Sequence, residues 1–141
     1  MANQIPQPDT ALHNTSHLMQ YHDLIESIVA AMDARDAYTA KHSDRVADMV
    51  LVLATALDLS EDETTLLHMA AHLHDIGKIA VPDSVLRKAG PLTNPEWEEM
   101  RRHPVTGYEI LRKVDDFKEI AVLVRHHHER WDGRGYPDGL R

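Results

Sequence analysis

Residues 60–77 read Ser60-Glu61-Asp62-Glu63-Thr64-Thr65-Leu66-Leu67-His68-Met69-Ala70-Ala71-His72-Leu73-His74-Asp75-Ile76-Gly77. Ser60 and Glu63 form a capping box, in which hydroxyl and carboxylate satisfy each other's orphan backbone donors at a helix start. Leu66, Met69, Ala70, Leu73 and Ile76 then recur at helical spacing on one face. Gly77 is the expected terminator. The same period extends outward from this helix. Leu24, Ile25, Ile28 and Met32 mark a helix over about 18–33, and Val46, Met49, Val50, Leu53 and Leu57 mark one over about 38–57. Downstream, a helical turn fits about 84–88, and Thr93-Asn94-Pro95-Glu96 opens a helix through Trp97 and Met100 that Pro104 interrupts. Further helices fit about 105–113 and 116–128. No alternating strand pattern occurs, so the expected fold is all-α, a compact helical bundle. Residues 1–17, with Pro6 and Pro8, read as a flexible leader before a single unit over 18–141. Gly133, Gly135 and Gly139 with Pro137 make a turn-rich loop near the end.

Composition narrows the chemistry. The 141 residues are 43% hydrophobic and 27% charged, a globular balance. Fifteen Lys+Arg against twenty-three Asp+Glu give a net charge of −8, which argues against DNA as a partner and requires local positive charge for any phosphate ligand. Cysteine is absent, so disulfides, thiolate-bound metals and thiol nucleophiles are excluded. The most apolar run, Met49 to Leu57, is too short for the roughly 17–25 residues a membrane crossing needs, and a cytoplasmic protein without membrane insertion is expected. Imidazole is the outlier, with 11 histidines.

Helical periodicity sorts those histidines. His42 lies four before Val46, His74 four after Ala70, His103 three after Met100, and His127 and His128 three and four after Val124, all continuing apolar faces. His126 points elsewhere, and His13, His17 and His22 are expected to face solvent. His68 and His72 form an i, i+4 pair without an apparent third ligand. Five inward imidazoles are costly to bury unless something satisfies them, and a shared metal centre does so. Asp75 directly follows His74, and consecutive helical side chains diverge by about 100°, so such a pair can address two ions side by side. His127-His128 repeats the pattern, pointing to a dinuclear centre whose imidazole and carboxylate donors suit Fe, Mn, Ni or Zn. Lys78, three after Asp75, is either a cation for a phosphate oxygen or an ion-pair partner of Asp75; Arg45, three after His42, is a similar case.

The segments His72-Leu73-His74-Asp75-Ile76-Gly77-Lys78-Ile79 and His127-His128-Glu129-Arg130-Trp131-Asp132-Gly133-Arg134-Gly135-Tyr136-Pro137 resemble the HD-GYP family of HD-superfamily metal-dependent phosphohydrolases. Tyr38-Thr39-Ala40-Lys41-His42, Gly90-Pro91-Leu92-Thr93 and His103-Pro104-Val105-Thr106-Gly107 match in the same order. The resemblance implies a helical domain that hydrolyses cyclic di-GMP, a bacterial second messenger, to pGpG or GMP with water activated between two divalent metal ions, Fe or Mn favoured and Ni or Zn as alternatives. By position, His42, His74, Asp75, His103, His127 and His128 are the implied metal ligands, with Asp75 bridging and Lys78 holding a phosphate oxygen. Arg45 and the loop residues Gly133, Gly135, Tyr136 and Pro137 are the implied substrate contacts, and the loop also implies contact with GGDEF domains. Where some members carry a Glu four residues before the first ligand histidine, Tyr38 stands here, which favours two metals over three. The family pattern continues past the loop into helices bearing another Asp ligand, whereas this sequence ends at Arg141, so a bundle incomplete at its C-terminus, open to homo-oligomer formation, is expected. Two other readings are a shortened, non-catalytic module that binds a partner or nucleotide, and an HD phosphohydrolase acting on another nucleotide.

Overall fold

A computed structural model of the chain describes residues 15–35 and 41–141, with side chains from Leu18 onward. Its helices are α1 (His22–Arg35), α2 (His42–Ala56), α3 (Glu61–Leu73), α4 (Asp83–Leu86), α5 (Asn94–Met100), α6 (His103–Leu111) and α7 (Lys118–His126). Short 3-10 segments cover Thr15–Tyr21, Ile76–Ala80 and Asp115–Phe117, and no strand occurs among the described residues, so the fold is all-α as expected. The expected leader lies outside the described residues through position 14, as does the start of the helix expected from Tyr38. No described helix is long and apolar enough to cross a membrane.

Local chemistry accounts for the helix starts. The Ser60 hydroxyl accepts from the Glu63 amide at 3.3 Å while the Glu63 carboxylate accepts from the Ser60 amide at 2.9 Å, the anticipated capping box of α3. Thr93 and Glu96 open α5 in the same way. Pro104, expected to interrupt a helix, instead sits in the first turn of α6, where its missing N–H has no partner to lose. His103 accordingly begins α6 and does not end α5. The core joins Ile25 and Val29 of α1, Met69 and Leu73 of α3, Leu111 of α6, and Ile120 and Val124 of α7. Packing of α3 on α2 and α7, and of α6 on α7 and the Ile76–Ala80 turn, leaves the bundle with helix ends gathered at one place.

Two helices turn differently from expectation. On α2, Met49, Leu53 and Leu57 are exposed, whereas Ser43, Ala47 and Ala54 are buried. The small residues form the stripe that lets the α2 and α3 backbones approach, so the bulkier apolar stripe is the one left outside. On α1, Leu24 is exposed and Ile25 and Val29 face the core. Gly77 does not terminate α3, which stops at Leu73. It lies in the following 3-10 turn, where a Cβ would fall 1.9 Å from the His103 carbonyl oxygen. Only glycine permits this approach of α6.

Candidate metal centre

Helix ends deliver every predicted ligand. His42 is the first residue of α2, His74 caps α3 with Asp75 next in the chain, His103 is the first residue of α6, and His127 caps α7 with His128 following. The expected helix over 116–128 is thus shorter than predicted, and His127 and His128 lie just past its end. All six predicted ligands come together, in two groups: His42, His74 and Asp75, and His103, His127 and His128. Within each group one potential ligand atom per residue lies within 4.8 Å of the others.

Asp75 joins the groups through separate oxygens. Its Oδ2 lies 3.1 Å from His74 Nε2 and its Oδ1 lies 3.4 Å from His103 Nε2. His103 Nε2 is in turn 3.2 Å from His127 Nε2. Three of the imidazoles are held identically, each Nδ1 bonded to the carbonyl three residues upstream: His74 to Ala71 at 2.7 Å, His103 to Met100 at 2.8 Å and His127 to Val124 at 2.7 Å. A carbonyl can only accept, so Nδ1 carries the proton and Nε2 presents its lone pair to the centre. This donor set fits divalent metal ions: oriented imidazole lone pairs, a carboxylate shared between groups and no thiolate.

Electrostatics agree with that assignment for His103 and His127, whereas His74, with its Nε2 beside the Asp75 carboxylate, is drawn towards its charged form. Burial, aided by neighbouring imidazoles and, for His103 and His128, by Lys78, pushes His103, His127 and His128 down to about 4, so all three are neutral at pH 7. Burial works against the Asp75 carboxylate, but the hydrogen bonds and charges of His74 and Lys78 outweigh it and hold its pKa well below the usual range. His74 is raised: burial opposes its charged form, and the Asp75 contact together with the Ala71 carbonyl prevails.

Lys78 Nζ donates to Asp75 Oδ2 at 2.7 Å, with the lysine side chain 19% exposed, so the ion pair forms at the edge of the centre and leaves two of the three ammonium protons for other acceptors. Arg45 is exposed on α2 one turn after His42, and among the described residues no ion pair or hydrogen bond joins its side chain to the six ligands. Tyr136 stacks on His128 with ring centroids 4.6 Å apart and an interplanar angle of 19°, so the glycine loop reaches the centre through this ring. Burial, with the negative charge of Asp75, raises the Tyr136 hydroxyl against the opposing Arg101 charge and keeps it protonated. Gly133 takes a φ of 70°, and a Cβ on Gly135 would lie 2.5 Å from the Arg130 nitrogen, so the loop folds tightly onto the end of α7 before the cis Tyr136–Pro137 bond.

Other contacts were not anticipated. Glu129 accepts from three consecutive amides, Asp138 at 2.7 Å, Gly139 at 3.0 Å and Leu140 at 2.9 Å, and so pins the loop's far side. Arg101 lies over the Tyr136 ring at 5.5 Å. Neither has a motif or period that sequence could expose. His126, expected to point away, pairs with Asp138 at 2.9 Å. His22, expected to face solvent, instead packs against His68 and His72 with its side chain 24% exposed, whereas the side chains of His13 and His17 lie outside the described residues. A separate apolar cavity of about 260 Å³, walled by Val29, Met32, Leu73 and Ile110 among others, touches Asp75 and Lys78 from the core side, but none of the five predicted ligand histidines lines it.

A family model described as an HD domain matches residues 22–141. The chain is similar to the cyclic di-GMP phosphodiesterase response regulator RpfG of Xanthomonas campestris pv. campestris, with 44% identity over 120 residues, covering 84% of this chain and 32% of that protein. It is 40% identical over 129 residues to the 3'3'-cGAMP-specific phosphodiesterase 3 of Vibrio cholerae, covering 89% of this chain and 28% of that one. A cyclic di-GMP phosphodiesterase of Thermotoga maritima is 39% identical over 121 residues, covering 84% and 33%. The chain therefore spans about a third or less of the length of these relatives. With a histidine and aspartate cluster built at the junction of its helices and a family match running from α1 to the last residue, this chain belongs to the HD-domain family.

Proposed function

We propose that residues 18–141 carry the centre of a metal-dependent phosphodiesterase that hydrolyses a cyclic dinucleotide, cyclic di-GMP in the first place, to pGpG or GMP. The observation that carries this reading is the division of the Asp75 oxygens, one facing the His42–His74 group and the other facing His103, His127 and His128. On it, His42, His74 and Asp75 hold one divalent ion, and Asp75, His103, His127 and His128 hold a second. Fe and Mn are the favoured ions, with Ni and Zn compatible with the same donors. Such ions, when bound, supply Lewis acidity and positive charge and bring a water's pKa near neutrality.

The chain's own residues do the rest. Asp75 fixes the spacing of the two groups and stays ionised because His74 and Lys78 stabilise its charge. Lys78 is the cation for a non-bridging phosphate oxygen, supplying locally what a chain of net charge −8 lacks. Arg45, one turn from His42, is assigned to a more distant phosphate contact. Gly133, Gly135, Tyr136 and Pro137 border the substrate, with Tyr136 fixed by its stacking on His128. Trp131, 98% exposed beside this loop, offers a surface for a GGDEF-domain partner or a second copy of the chain, and the reaction belongs in the cytoplasm.

A second reading, 3'3'-cGAMP as substrate, is favoured by the names of two relatives at 40% and 41% identity. One experiment addresses both. The purified chain is analysed for metal, loaded with Mn or Fe, and incubated with each cyclic dinucleotide, alongside Asp75→Asn. Two Mn or Fe ions per chain at the HD centre and a linear product, both lost in the variant, are expected. One ion or none with no product from either substrate overturns the proposal.

A further inference from the structure

On the opposite side of α3 from the HD centre, His22, His68 and His72 form a second group in which one ring nitrogen from each residue lies within 4.8 Å of the other two. Two residues along a helix turn a side chain through about 200°, so His72 and His74 face away from each other. The three rings are mutually packed. His22 and His68 are stacked with centroids 5.8 Å apart, and each meets His72 edge-on, at 5.5 Å and 4.7 Å.

His72 is the informative member. It is 6% exposed, and its Nδ1 has no hydrogen-bond partner, Asp44 being 3.8 Å away and beyond hydrogen-bond reach. A buried imidazole nitrogen left unsatisfied is costly, and native proteins seldom leave one without reason. His68 and His22 have outer neighbours of the kind that orient metal-binding rings. The Ala47 carbonyl lies 3.4 Å from His68 Nδ1, and the Glu26 carboxylate stands 3.7 Å from His22 Nδ1, just outside hydrogen-bond reach in this position of the ring. Half-exposed Asp44 stands beside the group as a carboxylate donor.

We propose that His22, His68 and His72 form a zinc-class cation site, distinct from the HD centre, with Asp44 as its carboxylate neighbour. Three imidazoles and an oxygen donor match the preference of Zn²⁺ for four ligands at about 2.0–2.2 Å. Tetrahedral ligands at that radius lie about 3.3 Å apart, so the rings must draw together by at most about 1.5 Å from their present spacing. His22, 24% exposed against 6% for His72, is better placed than His72 to make that move. The bound ion ties the start of α1 to the second half of α3, two elements otherwise joined by apolar packing.

The test is equilibrium dialysis of the whole chain against micromolar Zn²⁺, followed by metal analysis of wild type, His22→Gln, His68→Gln and Asp75→Asn. The first two variants change rings that are only partly buried, and far-UV circular dichroism checks that each stays folded. Each should lose one equivalent of zinc, whereas Asp75→Asn should retain it and lose metal only from the HD centre. An unchanged Asp75→Asn stoichiometry would count against the proposed function and leave this site standing. Wild-type zinc content in both His22→Gln and His68→Gln, or wild type that holds zinc only at millimolar concentration, overturns the proposal. Ring ¹⁵N shifts provide a readout that needs no substitution: zinc should move the His22, His68 and His72 signals together, and unmoved signals overturn it as well.

Discussion

Replacing Gly77 by alanine tests whether the contact between the Ile76–Ala80 turn and α6 sets the geometry of the HD centre. The new Cβ would lie 1.9 Å from the His103 carbonyl oxygen, 2.6 Å from the Gly107 nitrogen and 2.8 Å from the His103 carbonyl carbon. All are backbone atoms, so no rotamer change relieves the overlap. Ordinary contact begins near 3.4 Å, which requires α6 to retreat by about 1.5 Å. Overpacking a well-filled interior typically costs about 1–3 kcal/mol, and a rigid backbone clash belongs at the upper end, about 3 kcal/mol. In a domain of this size that lowers Tm by roughly 10 °C. His103 leads α6 and is only 2% exposed, and its Nε2 is 3.4 Å from Asp75 Oδ1. The same retreat widens that gap, and Mn²⁺ affinity should fall roughly 10–100-fold, as it does when supports of a metal ligand are lost. Thermal melts of metal-free protein and calorimetric Mn²⁺ titration measure the two effects. Gly90→Ala is the control: nothing lies within 4 Å of its Cβ, and its stability should stay within about 1 kcal/mol of wild type. A Gly77→Ala protein that melts with wild type and binds Mn²⁺ as tightly would mean that α6 yields freely and does not fix the centre.

Glu129→Ala removes the acceptor shared by the Asp138, Gly139 and Leu140 amides; a loss of about 2 kcal/mol is expected, with faster hydrogen exchange at 138–140 and unchanged protection in α3. Arg35 donates to the Lys78, Ile79 and Val81 carbonyls and to Asp83, so Arg35→Ala should lower stability in urea by about 1–2 kcal/mol, and Arg35→Lys should not restore it because an ammonium cannot span that fork. Asp138 is lowered to about 2 by hydrogen bonds from Arg125 and His126. Its folded pKa lies below the unfolded value of about 3.9, so its contribution is fully present above that value and is lost as pH falls toward 2. A carboxyl NMR titration should show a midpoint near 2 for Asp138, and a midpoint near 4 would mean that the loop is not held by this pair.

The all-helical fold was readable because apolar spacing and two capping boxes are local signals, and α3 and α5 begin where Ser60 and Thr93 indicate. Periodicity failed on α2, where it identified the large apolar stripe but could not know that close packing on α3 would select Ser43, Ala47 and Ala54 instead. Pro104 misled in a similar way, since a proline that breaks one helix also starts the next. The six predicted ligand positions came from helical phase together with a family resemblance, and all six meet in space, although the helices stop before His74, His127 and His128. His22 could not be placed beside His68 and His72 from sequence, because that contact depends on how α1 lies across α3. Glu129 and Arg101 act through backbone amides and a ring face, partners that leave no trace in spacing.

Placement of all six HD-centre residues at helix ends also gives the cluster leverage. A helix of 15 residues such as α2 is roughly 22 Å long, so pivoting it by about 5° about its far end carries His42 through roughly 2 Å. A residue midway along would travel half as far. Four helices, α2, α3, α6 and α7, bring their tips to this point, so small differences in tilt between them add up there as changes in ligand spacing while the hydrophobic core between the shafts scarcely rearranges. Any load on the exposed Met49, Val52 and Leu53 side of α2 would therefore register at the cluster as a change in distance.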